Sequence, residues 1–331
     1  MNDRYDLLDI TKFVLSIFVV AIHCSLLPEL LFPWLRLAVP LFFIISSFLL
    51  YNQIQKRPEN KWIIIKKSVK RQLKLYFVWF ILLLPFTLYI RSDWLSGNIL
   101  YTIFLFIKGF FFQSTFRGSW FITANVFATL IIGYLSDRHS NKTIFVLSFF
   151  IYALCCMPSS YSFLLEKSKP LYNFFAWYEK CFGSPYQSFF VALVWNVVGK
   201  MFSENKNTLK ENNYLVTLVF AVLFYSEFYI IKKNTGVIDY DCYLMMLPLS
   251  VSIFDHLIKH NVYCRYSTYL RHTSTMVYLL HGSLRPIVSH FVREHDEKGI
   301  ITFTLVLSLS YIFCYIVLKL QKKYTWLKIL Y

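Results

Sequence analysis

Apolar residues in this chain gather in blocks close to 20 residues long, separated by short polar stretches. A helix needs about 20 consecutive apolar residues to cross a bilayer. The pattern predicts spans over 10–27, 34–54, 73–90, 119–136, 143–158, 186–202, 213–231, 241–259, 272–292 and 301–320. An eleventh apolar block, 98–113, is interrupted by Lys108 and Gly109. The expected fold is all-α, a polytopic membrane helix bundle of about ten transmembrane helices forming a single domain over 1–331. No internal repeat and no Gly/Ser-rich linker divides it. Carriers commonly show repeated halves and Gly- or Pro-broken spans, so that pattern disfavours a carrier.

The polar stretches orient the bundle. The 55–74 stretch and its flank hold Lys56, Arg57, Lys61, Lys66, Lys67, Lys70, Arg71 and Lys74, which the positive-inside rule assigns to the cytoplasm. Two spans precede it, so the N-terminus is expected to be cytoplasmic. Lys319, Lys322, Lys323 and Lys328 place the C-terminus there too. Two cytoplasmic ends need an even number of crossings. The 98–113 block is therefore read as a re-entrant or interfacial segment on the outer side. Loops 28–33, 91–118, 159–185, 232–240 and 293–300 then face outward, two of them long and rich in aromatic residues. Such residues anchor at the membrane interface, and they also stack on sugar rings.

Composition supports the membrane reading. Of 331 residues 57% are hydrophobic and only 16% charged, where a soluble domain carries about a quarter. A soluble globular enzyme, a disulfide-stapled secreted domain and a disordered chain are all excluded. The net charge of +16 resides in the loops, so topology accounts for it and no nucleic-acid partner is expected. Seven cysteines at 24, 155, 156, 181, 242, 264 and 314 show no CxxC spacing, which indicates neither a disulfide framework nor zinc. His256 and His260 have an i, i+4 spacing that can hold a metal, but no third ligand is evident, so no metal is expected. No G-x-S-x-G marks a serine nucleophile. The expectation is a multi-pass plasma-membrane protein. Scarce Gly with abundant Lys, Ile, Asn and Phe points to an AT-rich bacterial source.

Ionisable groups inside spans are costly and are functional candidates by default. His23 falls well inside the first predicted span, and Lys12 lies eleven residues earlier. Eleven residues are almost three turns, so the two share a face, ~16 Å apart along the axis. A neutral membrane histidine can take a proton from a hydroxyl; it can equally be a structural group bonded to a neighbouring helix. Arg36, near the outer end of the second span, either snorkels or holds a hydroxyl-rich or anionic ligand. Ser46 and Ser47 lie deeper in that span, where serine most often bonds its own backbone.

These residues carry a resemblance. Lys12 and His23 match a basic residue, ten residues, then His. Arg36 through Phe48 match R-x-x-V-P-x-F-F-x-I-S-G-F, Lys70, Arg71 and Lys74 a basic R-x-x-R cluster, Ser119-Trp120-Phe121 a W-[FY] element, and Ser274, Tyr278 and His281 a late S-x-x-x-Y-x-x-H pattern. In this order the chain resembles the membrane acyltransferase family 3 over nearly its whole length. It departs from the pattern in having Lys12 and Lys74 where Arg is usual, Ser47 for Gly, and Leu75 near a common Pro.

The resemblance implies O-acyl transfer, most often acetyl, from cytoplasmic acetyl-CoA to a hydroxyl of an envelope or capsular polysaccharide or its precursor. It makes membrane lipid, acyl-CoA and a glycan acceptor the expected partners. Lys12, Lys70, Arg71 and Lys74 become candidates for the donor phosphates. His23 becomes the base, and His281 a group that bonds the donor or orients His23. Arg36 becomes an oxyanion or acceptor contact, and Trp120 and Ser46 become acceptor-binding candidates. The competing class is an envelope-glycan flippase or polymerase. A polymerase is expected to carry paired Arg and His in a large outer loop, and 159–185 holds neither. A small-molecule or amino-acid O-acyltransferase of the same family stays open.

Overall fold

In hydrocarbon no water bonds to an exposed backbone, so an apolar segment must satisfy its own N–H and C=O groups, and a helix does so within one segment. The computed structural model describes residues 5–26, 29–90, 99–205, 214–238, 240–260, 262–292 and 299–331. The opening part of the expected outer loop 91–118 and most of 293–300 lie outside the described residues. Among the described residues every regular element is helical. The first helices are α1 (Asp6–Cys24), a short α2 (Phe32–Leu35), α3 (Ala38–Lys56), α4 (Lys61–Ile90) and α5 (Ile99–Phe112). They are followed by α6 (Trp120–Leu135), α7 (Asn141–Cys156), a single-turn α8 (Ser162–Leu165), α9 (Lys169–Phe182) and α10 (Phe189–Glu204). The last four are α11 (Tyr214–Thr235), α12 (Met246–Lys259), α13 (Ser267–Val292) and α14 (Ile300–Leu320). Each of the ten predicted spans overlaps one of these helices. Five of the described helical stretches are both long and apolar enough to cross a membrane: 6–24, 32–56, 58–90, 214–235 and 300–320.

At the centre α3 packs along α10, and the closest point is Gly199. A Cβ there would stand 2.5 Å from the Ile44 carbonyl oxygen, so only glycine permits the crossing. The Ser47 hydroxyl donates to the Asn196 carbonyl at 2.6 Å across this contact. From Asn196 a buried polar ladder continues, its amide donating to Asn125 Oδ1 (3.3 Å), and Asn125 donating to Gln72 Oε1 (2.8 Å). This ladder ties α10, α6 and α4 together with bonds that have no competitor in lipid.

α1 lies along α13. Asp9 and Arg271 approach to 3.7 Å at one end, and the rings of His23 and His281 are 5.0 Å apart at the other, so the two helices run parallel. The Tyr331 ring stacks on His272 at 4.0 Å. The start of α1 and the end of the chain therefore lie at the same end of the bundle. Around the centre, α4, α5, α7, α11 and α14 turn large apolar side chains outward, among them Ile81, Phe104, Phe150, Leu218 and Ile312. A soluble protein would not tolerate so broad an apolar exterior.

Two segments between predicted spans have more structure than the sequence reading gave them. The 98–113 block is a regular helix, α5, packed on α6. Its 14 residues reach ~21 Å, short of the ~30 Å hydrocarbon thickness. Lys108 does not break it; its ammonium reaches out to the Lys180 carbonyl at 2.9 Å. The aromatic loop 159–185 contains α9, which begins at Lys169-Pro170 and stops at Gly183, whose φ of 93° suits glycine. No α9 residue is buried, and Leu171, Tyr172, Phe174 and Trp177 are exposed.

Candidate active site

The α1 helix ends at Cys24, where Ser25 takes a left-handed conformation (φ 53°). His23 thus occupies the last turn rather than the interior of its helix, because the apolar run 10–27 outlasts the helix itself. Its imidazole is reachable by solvent although protein surrounds it. Among the described residues, the ionisable groups that act on it are His281, Arg36, Arg285 and Arg117.

His281 lies about halfway along α13 and is 1% exposed. Its Nδ1 is 2.5 Å from the Tyr278 carbonyl oxygen, which can only accept, so Nδ1 carries the proton. That leaves Nε2 with its lone pair, and among the described residues Nε2 has no hydrogen-bond partner. The turn before α6 closes over this histidine. The Tyr278 hydroxyl donates to the Gly118 carbonyl at 3.2 Å, and Gly282 admits the Arg117 backbone so closely that a Cβ would meet its carbonyl oxygen at 2.8 Å. The Tyr278 ring packs edge-on against Phe42 and Phe121, at 5.7 and 5.4 Å.

Arg36 caps the end of α2 and forms an ion pair with Asp241, whose other oxygen accepts from Gln187 Nε2 at 3.0 Å. Arg36 and Asp241 line a small cavity together with Trp120, Tyr186 and Trp195. Trp120 therefore stands beside Arg36. Ser46 is half-buried one turn beyond Phe42, on the face of α3 turned towards Tyr278.

Lys12, at the opposite end of α1, feels the charges of Asp9, Arg271 and Arg71. The structure thus brings two of the four donor-site candidates together, Lys12 and Arg71. Lys70 and Lys74 are exposed on α4 at i, i+4, flanking Arg71. Among the described residues no three His, Cys, Asp or Glu side chains gather as metal ligands. His256 bonds Thr217 at 2.9 Å and His260 bonds Tyr214 at 3.3 Å.

Four residues were missed by the sequence reading. Arg285 lies four residues after His281, and Arg271 three before Ser274, so helical spacing carried both signals. Arg117 directly precedes Gly118-Ser119-Trp120. Asp241 gave no signal, because its partner is 205 residues away.

No solved structure matches this chain. Among curated proteins, an amino-acid racemase of Enterococcus faecalis is 24% identical over 273 residues, covering 78% of this chain and 36% of the racemase. The chain thus spans about a third of that relative's length. The family model described as an acyltransferase domain matches residues 5–319. With nearly its whole length matched, the chain belongs to the membrane acyltransferase family 3.

Proposed function

We propose that this acyltransferase carries an acyl group, acetyl in the first instance, from cytoplasmic acyl-CoA to a hydroxyl of an envelope or capsular polysaccharide, or its precursor, outside a bacterial plasma membrane. One observation carries the reading: the parallel pair α1–α13 has a cationic group at one end and two histidines at the other. The ~16 Å between Lys12 and His23 is about the reach of an extended pantetheine arm. The parallel pair also favours ten crossings with both ends cytoplasmic. Seven predicted spans lie between the first and 272–292, which makes the latter the ninth and gives it the direction of the first. Counting 98–113 as an eleventh span would reverse it.

The residues fit a phosphate-bearing donor. Lys12, Arg71 and Arg271 gather three cations where Asp9 is the carboxylate acting on Lys12, and guanidinium groups bind phosphate in a bidentate fork. At the other end His23 takes the proton of the acceptor hydroxyl while its oxygen forms the new ester bond and the thioester C–S bond breaks; the proton then leaves with the thiol. His281, protonated at Nδ1, offers only its Nε2 lone pair, which suits it to accept an N–H or O–H beside His23. Arg36 supplies positive charge where an oxyanion develops. The direct test is transfer from labelled acetyl-CoA by purified protein with envelope extract. Arg71→Ala is expected to raise KM for the donor. An unchanged KM would remove the donor-binding role.

A second acceptor class has one observation in its favour. The racemase relative is named for amino acids, so a hydroxy amino acid stands beside the glycan as an acceptor to be tried.

A further inference from the structure

We infer that the acceptor is an anion, a molecule whose reacting hydroxyl lies close to a carboxylate or phosphate held by Arg285. This rests on the acyl-transfer reading and names the substrate class for the same site.

Among the described residues Arg285 is a cation that transfer alone does not use. Arg36 is already matched by Asp241, itself held by Gln187. Among the described residues Arg285 acts on His23, as do Arg117, His281 and Arg36. Arg285 lies one turn beyond His281 on the same face of α13, half-buried, and its Nε is enclosed with no hydrogen-bond partner among the described residues. A guanidinium N–H enclosed without an acceptor is costly, and a carboxylate or phosphate oxygen is its natural complement. The second observation is His281, 1% exposed, whose Nε2 also lacks a partner among the described residues. One face of α13 thus presents a donor awaiting an anion and, one turn away, an acceptor lone pair that can receive an N–H or O–H. A hydroxyl and an anion on one small unit fit both. Uronic acids, hydroxy amino acids and phosphate-linked sugars share that chemistry. A neutral hexose leaves Arg285 unsatisfied.

Binding can be read apart from turnover. Detergent-solubilised protein is melted with rising D-glucuronate, L-serine or glycerol phosphate, against glucose, serinamide and glycerol at equal ionic strength. The expected result is a saturable rise in Tm with at least one of the three anions and none with its neutral partner. Whichever anion acts distinguishes a carboxylate source from a phosphate one. Arg285→Gln is expected to raise the apparent Kd about 10-fold or more, with Arg285→Lys recovering part of the loss. Lys12→Gln should leave the shift intact, which separates this site from the donor end. Equal shifts with neutral partners, no shift with any anion, or an unaltered Kd in Arg285→Gln would each overturn the proposal. If Arg285→Gln does not fold, Arg285→Lys carries the same comparison, with a smaller expected rise in the apparent Kd. Acetyl transfer with the same pairs is measured in parallel. Anion binding without any transfer would overturn the acyl-transfer reading alone, and transfer without anion preference would overturn only this one.

Discussion

Gly282→Ala is the substitution on which simple helix chemistry and this site disagree. Gly282 lies inside α13, one residue after His281. Alanine in an exposed helix interior is worth about 1 kcal/mol over glycine, so propensity alone predicts stabilisation. The structure predicts the reverse. The new Cβ would lie 2.7 Å from Arg117 Cβ and 2.8 Å from Arg117 O, where ordinary contact begins at 3.4 Å. The turn carrying Arg117 and Gly118 must retreat by roughly the 0.7 Å difference, because one clash is with backbone and no rotamer relieves it. Overpacking of this kind costs about 1–3 kcal/mol, so the net change is a loss of up to about 2 kcal/mol. The larger effect falls on rate. That same turn bonds Tyr278 and covers His281, and a displacement near 1 Å beside reacting groups can cost about 100-fold. We expect kcat for acyl transfer to fall about 10- to 100-fold, with a Tm at or below wild type. Gly199→Ala serves as the comparison, since its clash with Ile44 O at 2.5 Å lies at the α3–α10 crossing, and its penalty should appear chiefly in stability. A Gly282→Ala protein with raised Tm and wild-type kcat would refute the packing assigned to this turn.

Other outcomes follow from the same contacts. Lys12→Gln and Arg71→Gln should each raise KM for acetyl-CoA about 10-fold, the ~1.4 kcal/mol of one charge-assisted contact, while kcat changes little; steady-state kinetics against donor concentration reads the split. Asp241→Asn removes the carboxylate charge that faces the half-buried Arg36 and should cost about 1–3 kcal/mol, read as a drop in Tm in detergent. Asp137, just past the end of α6, accepts from Lys61 and from the Trp62 indole, and these bonds hold its carboxyl below the usual carboxylate range. Its contribution is therefore present above the ordinary Asp pKa of about 4 and is lost as pH falls through the depressed value. The Tm difference between wild type and Asp137→Asn should be steady near neutrality and should vanish in acid.

Much of the bundle could be read from apolar run length, because a backbone in lipid has few alternatives to helix. The segments read incompletely were those where run length is uninformative. α9 alternates apolar and polar residues around its circumference, so its average polarity reads as loop while its periodicity and its Pro170 and Gly183 boundaries specify a helix. The shared face of Lys12 and His23 is a matter of spacing, but the place of His23 in the last turn is not, since Ser25 ends α1 before the apolar run ends. Ser46 and Ser47 illustrate a different limit. Adjacent residues on a helix point about 100° apart, and only the position of α10 reveals that Ser47 makes the interhelical bond. Arg285 and Arg271 were within reach of the sequence, at helical spacing from residues already singled out. The Arg36–Asp241 pair was not, because pairing across 205 residues is a product of the assembled fold.

The role of His23 is tested most directly by incubating purified protein with radiolabelled acetyl-CoA and acceptor extract, wild type beside His23→Ala. If His23 is the base, wild type forms labelled acceptor and the variant loses about 100- to 10,000-fold of that rate, with KM for the donor preserved by the intact Lys12–Arg71 end. A folded wild type that neither binds nor turns over acetyl-CoA, or a His23→Ala variant as active as wild type, would contradict it.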